Sequence, residues 1–171
     1  MLFFLAGCLT AAPQDPRPKK MNIESRSFSP DGSIPPQFTC DGKNISPALL
    51  WKGFPSGTQS FALIVDDPDA RAGTWIHWLL FNIPSSVTSL EENFSYDGRK
   101  ETRILAGVND FGSLRYGGPC PPSGTHRYLF KIYALDIFLE LKEGASRKQV
   151  EAAMAGHVLA SGELIGLYRR K

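Results

Sequence analysis

Two histidines and a short acidic run are the groups in this chain whose types and spacing could do chemistry. Asp66-Asp67-Pro68-Asp69 puts up to three carboxylates directly after the apolar Val65. Crowding of that kind raises carboxylate pKa values unless hydrogen-bond donors lie near. His77 follows, flanked by Trp75, Ile76 and Trp78. The third group is the Pro- and Gly-rich run from Tyr116 to Tyr128, with Gly118, Cys120 and Pro121-Pro122, which delivers His126 to the mouth of a β-like segment. Glycines leave backbone N–H groups approachable, prolines fix the loop, and an imidazole can donate to an oxyanion. These are the parts of a small anion site.

Each group also has a plainer reading. Asp and Pro are favoured in turns, where Asp bonds backbone amides two residues on. A lone histidine in an aromatic strand is more often a core residue satisfied by one hydrogen bond. Two imidazoles with carboxylates can hold zinc or iron, so a metal-dependent hydrolase built on His77, His126, Asp67 and Asp69 stands as a third reading. Against it, no H-E-x-x-H pair and no further general base is present. There is no G-x-S-x-G elbow either; Ser161-Gly162 lies in a strand-like context, and His157 reads as a helix C-terminal residue. No motif calls for a cofactor, and a resident metal is not expected.

The elements that must position these groups are mostly strands. Trp75 to Ile83 and Arg127 to Leu135 are dense in aromatic and β-branched residues and read as central strands. Phe61 to Val65 reads as a buried strand, joined to Leu49 to Trp51 by a loop with Gly53, Pro55 and Gly57. Asn22 to Phe28 is a weaker strand ending at Pro30-Asp31-Gly32, and Val158 to Tyr168 a last one. Ser146 opens a helix with Val150, Ala153 and Met154 at helical spacing and Gly156 as its stop. Sixteen Gly and thirteen Pro suit this turn-rich pattern, and 171 residues make one domain the default. A net charge of +2, with scattered Lys and Arg, lacks the basic field of a nucleic-acid binder.

Asp67-Pro68-Asp69-Ala70, then His77-Trp78, then the loop ending His126-Arg127-Tyr128 resemble the phosphatidylethanolamine-binding protein family, which includes Raf kinase inhibitor-like proteins. Cys40-Asp41-Gly42, Ser46-Pro47 and Tyr133-Ala134-Leu135-Asp136 point to its bacterial branch, and the resemblance runs from about Asn22 to Tyr168. It implies a mainly β, two-sheet sandwich with one or two short helices. It also implies a phosphate-sized pocket lined by Asp67, Asp69, His77, His126 and Tyr128, with Gly118 and Cys120 in its backbone wall. The expected function is non-catalytic binding of a small anion, phosphate or a phospholipid headgroup, with inhibition of a kinase or protease through the pocket rim as the alternative. The resemblance brings Cys40 and Cys120 near the pocket, where they could pair in an oxidising compartment. Two departures stand out: Arg71 replaces the family's usual proline and reads first as a solvated loop residue, and the C-terminal helix that covers the pocket in eukaryotic members is expected to have no counterpart after Tyr168, which would leave the pocket more open.

Residues 1–20 read as a leader and linker ahead of a domain at 21–171. Leu5-Ala6-Gly7-Cys8 resembles a bacterial lipobox, with Cys8 as the acylated thiol. A periplasmic or membrane-anchored lipoprotein is expected on that reading, and a cytoplasmic protein starting at Met21 on the alternative. Elsewhere the chain has no apolar run of the roughly 20 residues a helix needs to span a bilayer, so membrane attachment would come through the leader.

Overall fold

The computed structural model describes residues 18–96 and 103–170. The residue runs read above as strands form two sheets. The larger joins β1 (Lys19–Lys20), β10 (Val158–Arg169), β9 (Thr125–Leu135), β5 (Ser60–Asp67), β6 (Trp75–Pro84) and β8 (Leu105–Ala106) in that spatial order, with β3 (Gly32–Ser33) on the far end of β10. The smaller joins β2 (Asn22–Ser25), β4 (Leu49–Lys52) and β7 (Ser89–Leu90). The central pairings β10–β9, β9–β5 and β5–β6 are all antiparallel.

Strand alternation assigns the two faces of the large sheet. Phe61, Leu63 and Val65 of β5, with Phe130, Ile132 and Ala134 of β9, pack against Ile23, Leu49 and Trp51 of the small sheet. Ala62, Ile64, Leu79 and Phe81 face the other way and meet α1 (Arg147–Met154) through Val150 and Met154. Every residue of β5 is buried because it lies between two covering layers; full burial of a Phe or Leu side chain is worth about 1.5–3 kcal/mol.

The helix begins as its sequence dictates. Ser146 accepts from the Gln149 amide, and the Gln149 side chain accepts from the Ser146 amide at 2.8 Å, a reciprocal capping box. Among the described residues, a 3₁₀ turn at Pro36–Phe38 is the other short helical element. β2 stops at Ser25, short of the expected Phe28, and β5 runs on through Asp67. Lys19 and Lys20 pair in parallel with Ala160 and Ser161, so the sheet starts before Met21, inside the expected linker. Cys8 and the lipobox lie outside the described residues.

Two irregularities in β6 matter. At Asn82, left-handed at φ 56°, the register against β5 shifts, and the side chain bonds both the N–H (2.7 Å) and the C=O (2.9 Å) of Leu139. Near the other end Val65 faces Trp78 while Asp66 faces Ile76, which leaves His77 as an extra residue without a partner on β5. A bulge of this kind re-aims a side chain.

Candidate functional site

The inner face of the large sheet continues past its apolar residues. On β5 the residue after Val65 on that face is Asp67, and on β9 the residues before Phe130 are Tyr128 and His126. The bulge turns His77 toward them: its ring meets Tyr128 edge-on at 5.1 Å between centroids. Asp67, His77, His126 and Tyr128 together line a cavity of about 310 Å³. All four are buried, whereas Arg71, Ala72, Phe111 and Pro122 along the same lining are exposed, so polar groups form the floor and loops the rim.

The hydrogen bonds fix how the floor groups are presented. His126 Nδ1–H donates to Asp67 Oδ2 at 2.7 Å, which leaves Nε2 as the free ring nitrogen. Asp67 Oδ1 accepts from the Asp69 amide at 2.8 Å, so one carboxylate both orients an imidazole and closes the turn after β5. His77 Nδ1–H donates to the Gly117 carbonyl at 2.6 Å. Burial pushes the His77 pKa below its ordinary value, against the pull of the Gly117 carbonyl and of Asp67, and at neutral pH its Nε2 carries a lone pair. Burial, and then the nearby Asp67, hold the Tyr128 phenol far above its ordinary range, so it stays an O–H donor. That hydroxyl is buried and, with Asp67 and the Cys120 backbone close by, makes no well-aligned hydrogen bond to either.

The three acids after Val65 do not crowd one another. Asp66 points to the opposite face and pairs with Lys131 Nζ at 2.8 Å. Asp69 lies outside the cavity lining: Arg127 grips it with its backbone amide (2.9 Å), Nε (3.0 Å) and Nη2 (2.7 Å). These Arg127 bonds hold the Asp69 carboxyl at about 2, the reverse of the rise that crowding would cause. Asp69 therefore positions the loop. Gly118 also stands behind the lining; its N–H donates to Asn44 Oδ1 at 2.6 Å, and a Cβ there would collide with the Phe38 carbonyl. Cys120 is in the wall and is joined to Cys40 by a disulfide. Arg71, expected to be a solvated loop residue, is exposed yet forms part of the lining. Among the described residues no group of three or more His, Cys, Asp or Glu side chains could hold a metal ion.

Sequence reasoning missed the loop that holds His77. Asn109 donates to the His77 carbonyl (3.1 Å) and the Arg115 carbonyl (2.8 Å), and accepts from the amides of Phe111 (3.1 Å) and Ser113 (2.9 Å). Asp110 accepts from the Ile76 amide at 2.6 Å. The same loop sets Phe111 on the rim, 49% exposed, with its ring against Trp75 and His77. The signal was Asn109-Asp110-Phe111-Gly112, a turn sequence around an aromatic residue.

Residues 24–169 match the family model described as phosphatidylethanolamine-binding protein. A UPF0098 protein of Methanothermobacter thermautotrophicus is 54% identical over 150 residues, covering 88% of this chain and 99% of the relative. Another from Aquifex aeolicus is 50% identical over 153 residues, covering 88% and 89%. Among solved structures, a phosphatidylethanolamine-binding protein homologue of Chlamydia trachomatis superposes with a TM-score of 0.82 at 37% identity, over 90% of this chain and 99% of that one. YbcL of E. coli does so with a TM-score of 0.81 at 32% identity, over 89% and 99%.

Proposed function

The chain belongs to the phosphatidylethanolamine-binding protein family, and from that premise we propose that its cavity is a receptor for a small anion, phosphate or a phospholipid headgroup, held without bond cleavage. The observation that carries this reading is the Tyr128 hydroxyl, a buried donor on the cavity floor without a well-aligned partner. A buried polar group left unpaired costs about 1–3 kcal/mol, and a ligand oxygen would satisfy it. The anion enters with a proton. Either a protonated phosphate oxygen donates to His77 Nε2, or His77 takes up a proton and donates itself. The rim formed by exposed Phe111 and half-buried Trp75 suits the apolar part of an amphiphile.

Titration with inorganic phosphate and with phosphoethanolamine, followed through the ring signals of His77 and His126, tests this. Binding at or below millimolar concentration, lost in the His77→Ala/His126→Ala double variant, is expected. No binding, or binding that survives both substitutions, overturns the reading.

Phe111 also favours a second reading, in which the rim docks on a kinase or protease and inhibits it; a screen in which Phe111→Ser leaves inhibition intact removes it. The Cys40–Cys120 bond supports an oxidising compartment, in keeping with export. Mass spectrometry of the native N-terminus, showing acylated Cys8 or a start at Met21, decides between the two locations.

A further inference from the structure

Arg71 is the one Lys or Arg among the described residues that line the cavity. The other charge on the floor is the Asp67 carboxylate, and an anion seated beside it needs a cation nearby. Arg127 is next to His126 in sequence but is occupied by Asp69 through two side-chain bonds of 3.0 and 2.7 Å. Arg71 has no such commitment: its Nη2 donates to Ser123 Oγ at 3.3 Å, a long bond to a neutral acceptor. That bond joins the two rim loops, one containing Gly73 at φ 101° and the other ending at Gly124 at φ 76°. Arg71 thus lines the same cavity as the buried Tyr128 hydroxyl, its guanidinium held by one long bond to a neutral acceptor.

We propose that Arg71 sets the charge class of the ligand: its guanidinium leaves Ser123 for an outward-facing oxygen of a phosphate monoester seated on the Tyr128 floor, and so selects monoesters over diesters. The assignment rests on the anion-receptor reading above and names its substrate class. A monoester has three terminal oxygens and carries about 1.5–2 negative charges near neutral pH, enough to meet the floor groups and a rim cation together. A diester has two terminal oxygens and a single charge, so meeting the floor leaves less for Arg71. Exchanging a neutral hydroxyl for a phosphate oxygen turns an ordinary hydrogen bond into a charge-assisted one, which the planar guanidinium fork forms better than an ammonium.

The test titrates phosphoethanolamine and glycerophosphoethanolamine, a monoester and a diester with the same amine, into the wild-type chain, Arg71→Ala and Arg71→Lys. The wild type is expected to prefer the monoester by about tenfold, and the preference to shrink as salt screens the rim charge. Arg71→Ala brings the monoester down to the affinity of the diester while changing the diester by less than about twofold, and Arg71→Lys falls between. Arg71→Ala that keeps the preference, or weakens both ligands equally, overturns the assignment and leaves the receptor reading standing. A wild type that binds neither ligand removes the receptor reading and this one with it.

Discussion

One face of the large sheet is built in two ways along its length. Under the small sheet, Phe61, Leu63 and Val65 of β5 meet Trp51, Leu49 and their neighbours in an apolar interior. One step further along the same face, strands give way to loops as the covering layer, and the alternation delivers Asp67, with His126 and Tyr128 from β9 and His77 from the bulge. The difference lies in what surrounds each half, since the backbone pairing of β5 with β9 continues through Asp66. Where strands cover, close packing does the stabilising. Where loops cover, each polar group needs its own partner: Asp67 has His126, His77 has the Gly117 carbonyl, and of these Tyr128 lacks a well-aligned one, as Trp51 Nε1 does in the covered half. The site is the core pattern carried past the edge of its lid.

If that contrast holds, substitutions in the covered half change stability and leave ligand binding alone. The largest effect is expected from Phe61→Ala, which removes a ring packed on Trp51 and Phe54 at 5.5 and 4.9 Å. Urea unfolding should show a loss of about 3–5 kcal/mol, with the phosphate affinity of the folded protein unchanged. A change in affinity larger than the folded fraction explains would mean that the two halves are coupled.

The next effect belongs to the loop-covered half. Cys40 and Cys120 tie the cavity wall to the segment after the 3₁₀ turn, across a sequence separation of 80 residues. Replacing both with Ser is expected to lower stability by about 2–4 kcal/mol, the typical contribution of a disulfide. Because Cys120 lines the cavity, phosphate affinity should fall as well. Loss of stability with no loss of affinity would show that the wall holds its shape without the cross-link.

The sequence made the covered half legible and the loop-covered half only partly so, for a physical reason. Strand periodicity places Phe61, Trp78 and Phe130 in an interior with no knowledge of tertiary contacts, and the Ser146–Gln149 cap marks its helix just as locally. Asp67, His126 and Tyr128 were found through the resemblance of their local motifs. Asp69 is grouped with them because sequence proximity hides direction: β5 ends at Asp67, and the turn after it hands Asp69 to Arg127 outside the lining. The bulge that aims His77 depends on register against β5, and the hold of Asn109 on His77 spans separate segments, so neither is written in a local pattern.

A smaller effect of opposite sign separates the halves more sharply. Tyr128→Phe removes the one floor hydroxyl that no protein group satisfies. Stability is expected to rise by about 1 kcal/mol or more, because the desolvation penalty of the hydroxyl disappears, while phosphate affinity falls by about tenfold or more. The same Tyr→Phe change at Tyr116, whose hydroxyl donates to the Phe38 carbonyl at 2.9 Å, should destabilise instead. If both substitutions destabilise equally, the Tyr128 hydroxyl has a partner within the protein and the principal argument for a ligand there is lost.

The smallest effect at neutral pH grows on acidification. The His77 pKa is lowered in the folded state, chiefly by burial, so the unfolded chain binds its proton first as pH falls. The stability associated with neutral His77 is therefore fully present above about 6.5, the ordinary histidine value, and is lost as pH falls through the lower folded value. Ligand binding runs the other way. An anion stabilises the imidazolium, so affinity should increase on acidification by at most tenfold per pH unit for one proton taken up. Sulfate is the better probe, because it does not titrate in this range and any proton uptake belongs to the protein. Sulfate affinity that rises from pH 7.5 to 5.5 in the wild type and stays flat in His77→Gln assigns the proton to this ring. An equal rise in both would place it on His126, the other imidazole on the floor, and His77 would then serve the loop through Gly117 and leave the anion to its neighbour.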